Sequence, residues 1–160
     1  MSPIDGLDLP LSEVTPSSGA LLAPLAAPRL GGRASQGVDL ILEGFLLHHG
    51  EPQKATSPEP DDRLLAGDYC FAAGLVRVAE AGDLGAIEAL SRLIAVSSGV
   101  VADGHTEILP NLWRTTAAAL GGDDAARVEL PGTIDRIIAG QANGAGAGDR
   151  IDQRLKEAFA

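Results

Sequence analysis

The stretch DDRLLAGDYCFAAGLVRVAEA, residues 61–81, decides the fold class of this 160-residue chain. Its apolar residues recur at three- and four-residue steps, which is the spacing of one wide helical face. Two aspartates stand at its start, where the helix dipole favours negative charge, and Gly82 follows its end. The pattern predicts a long helix whose apolar stripe is wide enough to be buried on two sides. The stripe comprises Leu64, Leu65, Phe71, Ala72, Leu75, Val76, Val78 and Ala79.

The composition extends the helical prediction to the whole chain. There are 26 Ala and 22 Leu residues against 8 Val and 9 Ile, and 3% of the residues are aromatic. Ala and Leu have high helix propensity, whereas β-branched and aromatic side chains favour strands. We therefore expect an all-α protein, an antiparallel helical bundle without a sheet.

Helical periodicity recurs on both sides of this stretch. A helix is predicted over 35–49 with Ser35 as its N-cap, and another over 83–101 with Asp83 as its N-cap. Only two residues join the helix over 61–81 to the one over 83–101. We expect these two helices to lie antiparallel and to form the base of the bundle.

Proline and glycine divide the chain into four parts. Pro110 opens a predicted helix over 111–120, and Thr133 caps a short one over 134–139. The last helix is amphipathic, so it is either a docking arm for a partner or a clasp on the chain's own core. The four parts are a Pro-rich N-terminal arm (1–34), with at most one short helix near 19–30, a helical core (35–140), a Gly/Ala linker (141–148) and the C-terminal amphipathic helix (149–160).

Charge and cysteine content restrict the expected partners and compartment. With 22 acidic and 12 basic side chains, the formal net charge is -10, so the surface repels polyanions and nucleic acid is not an expected partner. The single cysteine, Cys70, cannot form an internal disulfide, which favours a reducing, cytoplasmic location. We find neither a signal-peptide pattern nor an uninterrupted apolar run of membrane-spanning length, so no transmembrane segment is expected.

Two features invite a catalytic or metal-site hypothesis, and each has a simpler structural explanation. His48 and His49 are adjacent, but neighbouring helical residues point about 100° apart and no HxxxH or HExxH spacing occurs. Cys70 lies in the middle of a helix, where a small buried apolar side chain is expected. We predict two helix-end histidines and a buried thiol.

The paired carboxylates are a third candidate. Asp61-Asp62 and Asp123-Asp124 are of the kind that binds Mg²⁺ beside a diphosphate. Neither pair has a third carboxylate one turn later on the same face, and both stand where helix starts favour acidic residues. We predict that they are helix-start residues, and we expect no metal or cofactor bound by this chain itself.

Two segments resemble a known family. Residues 64–75, LLAGDYCFAAGL, resemble the "LAGDYLFARAL" helix of trans-isoprenyl (polyprenyl) diphosphate synthases. Residues 38–48, VDLILEGFLLH, resemble the family's "VELLHNFSLIH" helix, and the similarity as a whole covers residues 34–104. The resemblance implies a bundle similar to part of the isoprenoid synthase fold and a role in isoprenoid biosynthesis.

The chain departs from this family at the aspartate-rich motifs. Where the family's DDxxD motif begins, residues 49–53 read HGEPQ, and a different register sets Asp39 and Glu43 against the outer aspartates without completing the motif. In the family these aspartates hold the Mg²⁺ ions that clamp the allylic diphosphate. The resemblance thus implies a non-catalytic member, similar to the small subunit of heteromeric polyprenyl synthases, with Mg²⁺ acting only in a catalytic partner.

Such a pseudoenzyme subunit would supply a dimer interface, or part of the wall that limits product chain length, to its partner. The candidate substrate or interface residues are Asp68, Phe71, Leu75 and Val78. A core of this size covers one side of the 61–81 helix, so we expect an exposed apolar strip that a homodimer or heteromer buries. The alternative is a homodimeric helical protein that binds an apolar ligand or a protein. A third hypothesis, an independent transferase, requires a diphosphate site that we do not find in the sequence. If the chain is an enzyme, we expect a prenyltransferase active only with a partner subunit.

Overall fold

A computed structural model describes residues 21–50, 60–140 and 150–159. The regular elements in these ranges are all helical, which confirms the all-α prediction. A short 3₁₀ turn, Thr106–Ile108, joins the fourth and fifth helices. The helices are α1 (Ala23–Leu30), α2 (Gly32–His49), α3 (Pro60–Glu80), α4 (Leu84–Ala102), α5 (Leu109–Gly121), α6 (Asp124–Ile138) and α7 (Arg150–Phe159).

The starts of α4 and α2 show one correct cap prediction and one wrong one. The Asp83 carboxylate accepts a hydrogen bond from Ala86 N at 2.9 Å and caps α4, as predicted. Ser35 does not cap α2, because its own N–H already donates to the Gly31 carbonyl inside the first turn. The helix begins three residues earlier than predicted, since Gly31 turns the chain with a φ of +81° that favours glycine.

Helix α6 is much longer than the short helix predicted over 134–139. Asp123 caps it by accepting a hydrogen bond from Ala126 N at 2.9 Å, and the helix continues through Pro131. Thr133 therefore lies inside the helix, and its prediction as a cap was wrong. Proline removes one backbone donor, but core burial of one helical face offsets that cost. The buried side chains are Leu130, Ile134 and Ile137.

The most extensive helix–helix contact joins α2 to α3, and it depends on glycine. Gly37 faces Gly74 and Gly44 faces Gly67, in an antiparallel register with a seven-residue spacing on each helix. A Cβ atom on Gly37 would lie 2.7 Å from the Gly74 oxygen, and one on Gly44 would lie 2.8 Å from the Gly67 oxygen. Only glycine allows the two backbones to approach this closely.

This contact corrects the predicted base of the bundle. Helices α3 and α4 follow one another across the two-residue joint as expected, yet they contact each other far less than α2 and α3 do. The short joint fixes where the two helices meet, but it does not supply the small side chains that would let them approach along their length. The central pair of the bundle is α2 with α3.

A buried carboxylate on α2 holds the N-terminus of α1. Asp39 is 4% exposed, and its oxygens accept hydrogen bonds from the backbone N–H groups of Leu21, Leu22 and Ala23 at 3.1, 2.8 and 3.1 Å. These donors have no partner within their own helix, so the carboxylate satisfies them and matches the helix dipole. Leu21 and Leu22 are buried in the core, so this part of the predicted N-terminal arm docks on the body.

The C-terminal helix α7 lies on α5 and on the end of α2. Leu155, Ala158 and Phe159 are its buried residues and belong to the main core, so the helix acts as a clasp in this structure. The predicted linker at 141–148, the first 20 residues of the arm and the segment 51–59 lie outside the described residues.

Candidate interaction surface on α3

Helix α3 has an inner face against α2 and an apolar outer face. The side chains of Leu64, Leu65 and Val76 are 51%, 48% and 54% exposed. Ala72 and Ala79 are also exposed, and the half-buried Phe71 and Leu75 lie along the edge of the same face. The outer face of α3 consists of these seven residues together with Asp68. The expected apolar strip on this helix is therefore present.

The four sequence-predicted site residues divide between this face and the core. Asp68 is exposed within the outer face, and Phe71 and Leu75 border it. Val78 is 0% exposed and belongs to the main core. The structure therefore brings Asp68, Phe71 and Leu75 together at one surface and places Val78 behind it in the core.

A histidine from α2 contacts the outer face. His48 Nε2 lies 3.2 Å from Asp68 Oδ1 and 3.2 Å from the Leu64 carbonyl oxygen. The centre of the imidazole ring is 5.3 Å from that of Phe71. The side chain thus links the end of α2 to the middle of the outer face, and Asp68 has an ionisable partner there.

His49 lies beside His48 but packs in a different direction. Its ring centre is 4.8 Å from that of Phe45 and 5.9 Å from that of His48. Burial, and secondarily the charge of His48, lower the pKa of His49. The two histidines are the last residues of α2, as predicted. Within residues 21–50, 60–140 and 150–159, no three His, Cys, Asp or Glu side chains are grouped as a metal site requires.

The cysteine and the second acidic residue of α2 considered in the sequence analysis are both buried. Cys70 is 0% exposed, which confirms a buried thiol, and it lies in a small cluster with Leu40, Leu47 and Ala66. Glu43, the second acidic residue of the alternative register on α2, is 2% exposed. Sequence similarity alone could not distinguish metal-binding carboxylates on this helix from structural ones.

The acidic pairs lie at helix starts, as predicted. Asp61 and Asp62 occupy the first turn of α3 and are exposed. Asp123 caps α6, and the neighbouring Asp124 forms an ion pair with Arg29 of α1 at 2.7 Å.

Sequence reasoning missed the role of Arg63. Its guanidinium reaches back to the end of α2, where Nη2 donates to the Gly50 carbonyl at 2.7 Å and Nε to the Leu47 carbonyl at 3.3 Å. These carbonyls have no partner within the helix, so Arg63 fixes the end of α2 beside the start of α3. A basic side chain in the first turn of the following helix was the available signal.

Two cavities lie on the opposite part of the molecule. One, of about 200 Å³, lies between α4, α5 and α6 above Leu120, Leu130 and Ile134. The arginines at its rim are already paired, Arg127 with Asp83 and Arg92 with Asp135. The second, of about 310 Å³, lies between α5 and α6 and is lined mainly by alanine, threonine and Leu130. Neither cavity includes a residue of the outer face of α3.

Helix α4 is apolar in composition, and most of its large side chains pack in or against the main core. With 19 residues, the helix is long and apolar enough to cross a membrane. Core helices of soluble proteins meet the same criteria of length and composition. Only 28% of its most apolar window is buried within the chain.

Comparison of the chain with family models, curated proteins and solved structures finds no match.

Proposed function

We propose that this chain is a non-catalytic, polyprenyl-synthase-like helical subunit that gives a catalytic partner a dimer interface or a chain-length wall in isoprenoid biosynthesis. Residues 64–75, which resemble a helix of that family, lie on α3. The observation that carries the proposal is the apolar outer face of that same helix. Apolar surface of this kind, when contiguous, marks a contact with another molecule, because its burial removes it from water.

The acidic residues of α2 and α3 support the non-catalytic part of the proposal. The Asp39 carboxylate accepts three backbone hydrogen bonds from the start of α1. Asp68 lies beside His48 at 3.2 Å. A carboxylate that already holds a helix start is not available to clamp the magnesium diphosphate that a prenyl transfer requires.

The homodimeric binding protein remains a second candidate, and the exposed apolar side chains of α3 are compatible with it as well. An exposed apolar face on α3 would suit a self-contained pair of chains that encloses an apolar ligand. This function needs no catalytic partner, so binding to a polyprenyl synthase distinguishes the first proposal from it.

The test is association in solution. By sedimentation at micromolar concentration, we expect the chain alone to form a dimer. Added to a full-length polyprenyl synthase with both aspartate-rich motifs, it should form a heteromer and shift the product chain length. Persistence as a well-folded monomer of 16.3 kDa that pairs with no such synthase would overturn the proposal. A dimer that binds apolar ligand but never the synthase would support the second candidate instead.

Matched variants locate the interface. Leu65→Glu and Val76→Glu change exposed positions on the outer face, so we expect each to weaken association at least tenfold while the chain stays folded. Val128→Glu is the control, because Val128 is 79% exposed on α6, away from that face. Val78→Glu cannot serve, since it would bury a charge in the core. Equal effects of all three exposed variants would contradict this assignment.

The isolated chain should also give no product from allylic and homoallylic diphosphates with Mg²⁺. Magnesium-dependent product from the purified chain alone would contradict a non-catalytic subunit, most clearly if Asp68→Asn abolished it.

A further inference from the structure

The cavity between α4, α5 and α6 has an apolar floor. Leu120, Leu130 and Ile134 form this floor, and each is at most 4% exposed. Protein interiors leave few spaces larger than a water molecule, so an open space over these core side chains indicates a place for a ligand. An apolar cavity of about 150 Å³ is large enough to hold benzene. This cavity, of about 200 Å³, therefore has room for a benzene ring with a short side arm.

The two arginines that line the cavity are each balanced by an aspartate. Arg127 donates two hydrogen bonds to the Asp83 carboxylate, and both side chains are mostly buried. Arg92 lies 3.2 Å from Asp135 in a more exposed pair. An anionic ligand would have to separate one of these pairs before it could bind an arginine. The paired arginines therefore make an anion an unfavourable ligand.

Glu88 is the lining residue whose charge is not balanced. It is exposed on α4, and its carboxylate forms neither an ion pair nor a hydrogen bond with any residue that the structure describes. Since each arginine has its own aspartate, the Glu88 carboxylate gives the cavity a net negative charge. The formal net charge of -10 on the whole chain adds to the attraction for a cation. The ligand that matches this cavity is thus apolar over most of its surface and carries one positive charge.

We propose that this cavity binds a small apolar amine. The ammonium group pairs with the Glu88 carboxylate at the rim, and the hydrocarbon part covers the floor formed by Leu120, Leu130 and Ile134. Small-molecule sites have this general form, in which apolar walls supply most of the contact and a few polar groups fix the orientation. The residues that line the cavity include none from the outer face of α3, so this proposal is independent of the subunit function proposed above.

The test compares three probes of similar size and different charge on the full chain. Benzylamine, benzyl alcohol and benzoate are titrated at neutral pH, where the amine is protonated, and binding is followed by NMR of the methyl groups. The shifts should concentrate on the methyl groups of Leu120, Leu130 and Ile134. Because an exposed ion pair contributes modestly, benzylamine should bind about threefold to fivefold more tightly than benzyl alcohol. Benzoate should bind more weakly than either, since it faces the Glu88 carboxylate.

Two matched variants assign the preference for the amine to one carboxylate. Glu88→Gln keeps the size of an exposed side chain and removes its charge, so this variant should bind benzylamine no more tightly than benzyl alcohol. Glu129→Gln removes the same charge from a residue of α6 that lines the second cavity, and it should keep the preference of the unchanged chain. Equal loss of preference in both variants would overturn the proposal. Methyl shifts outside the cavity, equal affinities for the three probes, or no binding of benzylamine at millimolar concentration would overturn it as well.

Discussion

The α2–α3 pair and the α4–α6 side of the molecule hold their helices together by opposite means. Between α2 and α3, glycines bring backbone against backbone, and few side chains separate the helices. On the other side, larger apolar residues separate the helices and leave a cavity of about 200 Å³, and Arg127 of α6 binds the Asp83 carboxylate at the start of α4 at 2.6 and 2.7 Å. Close backbone contact uses only one narrow face of α3, so its remaining apolar residues stay exposed. One Ala- and Leu-rich composition thus yields a side-chain-packed region closed by an ion pair on one side and an exposed apolar surface on the other.

The largest expected effect is at the glycine contact. A Cβ atom on Gly74 would lie 2.6 Å from the Gly37 oxygen and 2.6 Å from Ile41 Cγ1. We expect Gly74→Ala to lower the free energy of unfolding by about 2–3 kcal/mol through overpacking, measured by urea denaturation. Gly99→Ala on α4 is the control, because nothing lies within 4 Å of its Cβ position. That substitution should stabilise the protein by about 0.5–1 kcal/mol through helix propensity. If both substitutions lowered the free energy of unfolding, or both raised it, the close contact at Gly74 would not be what distinguishes the two glycines.

The second effect concerns the ion pair on the α4–α6 side. The side chains of Arg127 and Asp83 are 14% and 23% exposed, so Arg127→Met leaves a partly buried carboxylate without its main partner. We expect a loss of about 2 kcal/mol in the free energy of unfolding. The control is Arg92→Met, whose pair with Asp135 is 3.2 Å long and largely exposed, with an expected loss of less than about 1 kcal/mol. Similar losses for the two variants would mean that burial does not set the strength of these pairs.

The smallest effect is a dependence on pH. The hydrogen bond from Arg127, helped by that from Ala86 N, lowers the pKa of Asp83 below its ordinary value of 3.8. A lowered carboxyl pKa stabilises the folded chain above that ordinary value, and the contribution disappears as the pH falls through the folded pKa. The stability difference between the unchanged chain and Arg127→Met should therefore be largest near neutral pH and shrink below about pH 4. Urea denaturation between pH 7 and pH 3 measures it, and a constant difference would exclude this linkage.

The sequence predicted the helices well where a local signal existed. Asp83 and Asp123 lie at helix starts because an acidic side chain there bonds amides three residues away, a contact that sequence spacing reveals. The prediction of Thr133 as a cap was wrong because α6 continues through Pro131, held by the burial of an apolar face that only the tertiary structure supplies. The structural role of Asp39 was also not predicted, because the backbone N–H groups that it binds lie 16–18 residues away along the chain and no local signal points to them.

The glycine contact was the main feature of the fold that remained unpredicted, although its signal is visible. Gly37 and Gly44 on one helix, and Gly67 and Gly74 on the next, repeat at seven residues. Such a repeat on consecutive helices indicates a close antiparallel contact, but helix propensity counts glycine only as a cost. At the candidate surface, the sequence placed Asp68, Phe71 and Leu75 together. It could not separate Val78 from them, because the boundary between the inner and outer faces depends on how closely α2 approaches.

The bond from Asp39 to the start of α1 bears on the order in which the chain acquires structure during synthesis. Helix α1 leaves the ribosome before the carboxylate that holds its first amides, which follows 17 residues after Leu22. Its packing surface on α5 comes far later, since Arg29 contacts Gly122, 93 residues further along the chain. An eight-residue helix does not persist alone in water. The first helix of the described residues is consequently among the last to be secured, and the nascent chain must keep its leucines from other contacts until α5 has emerged.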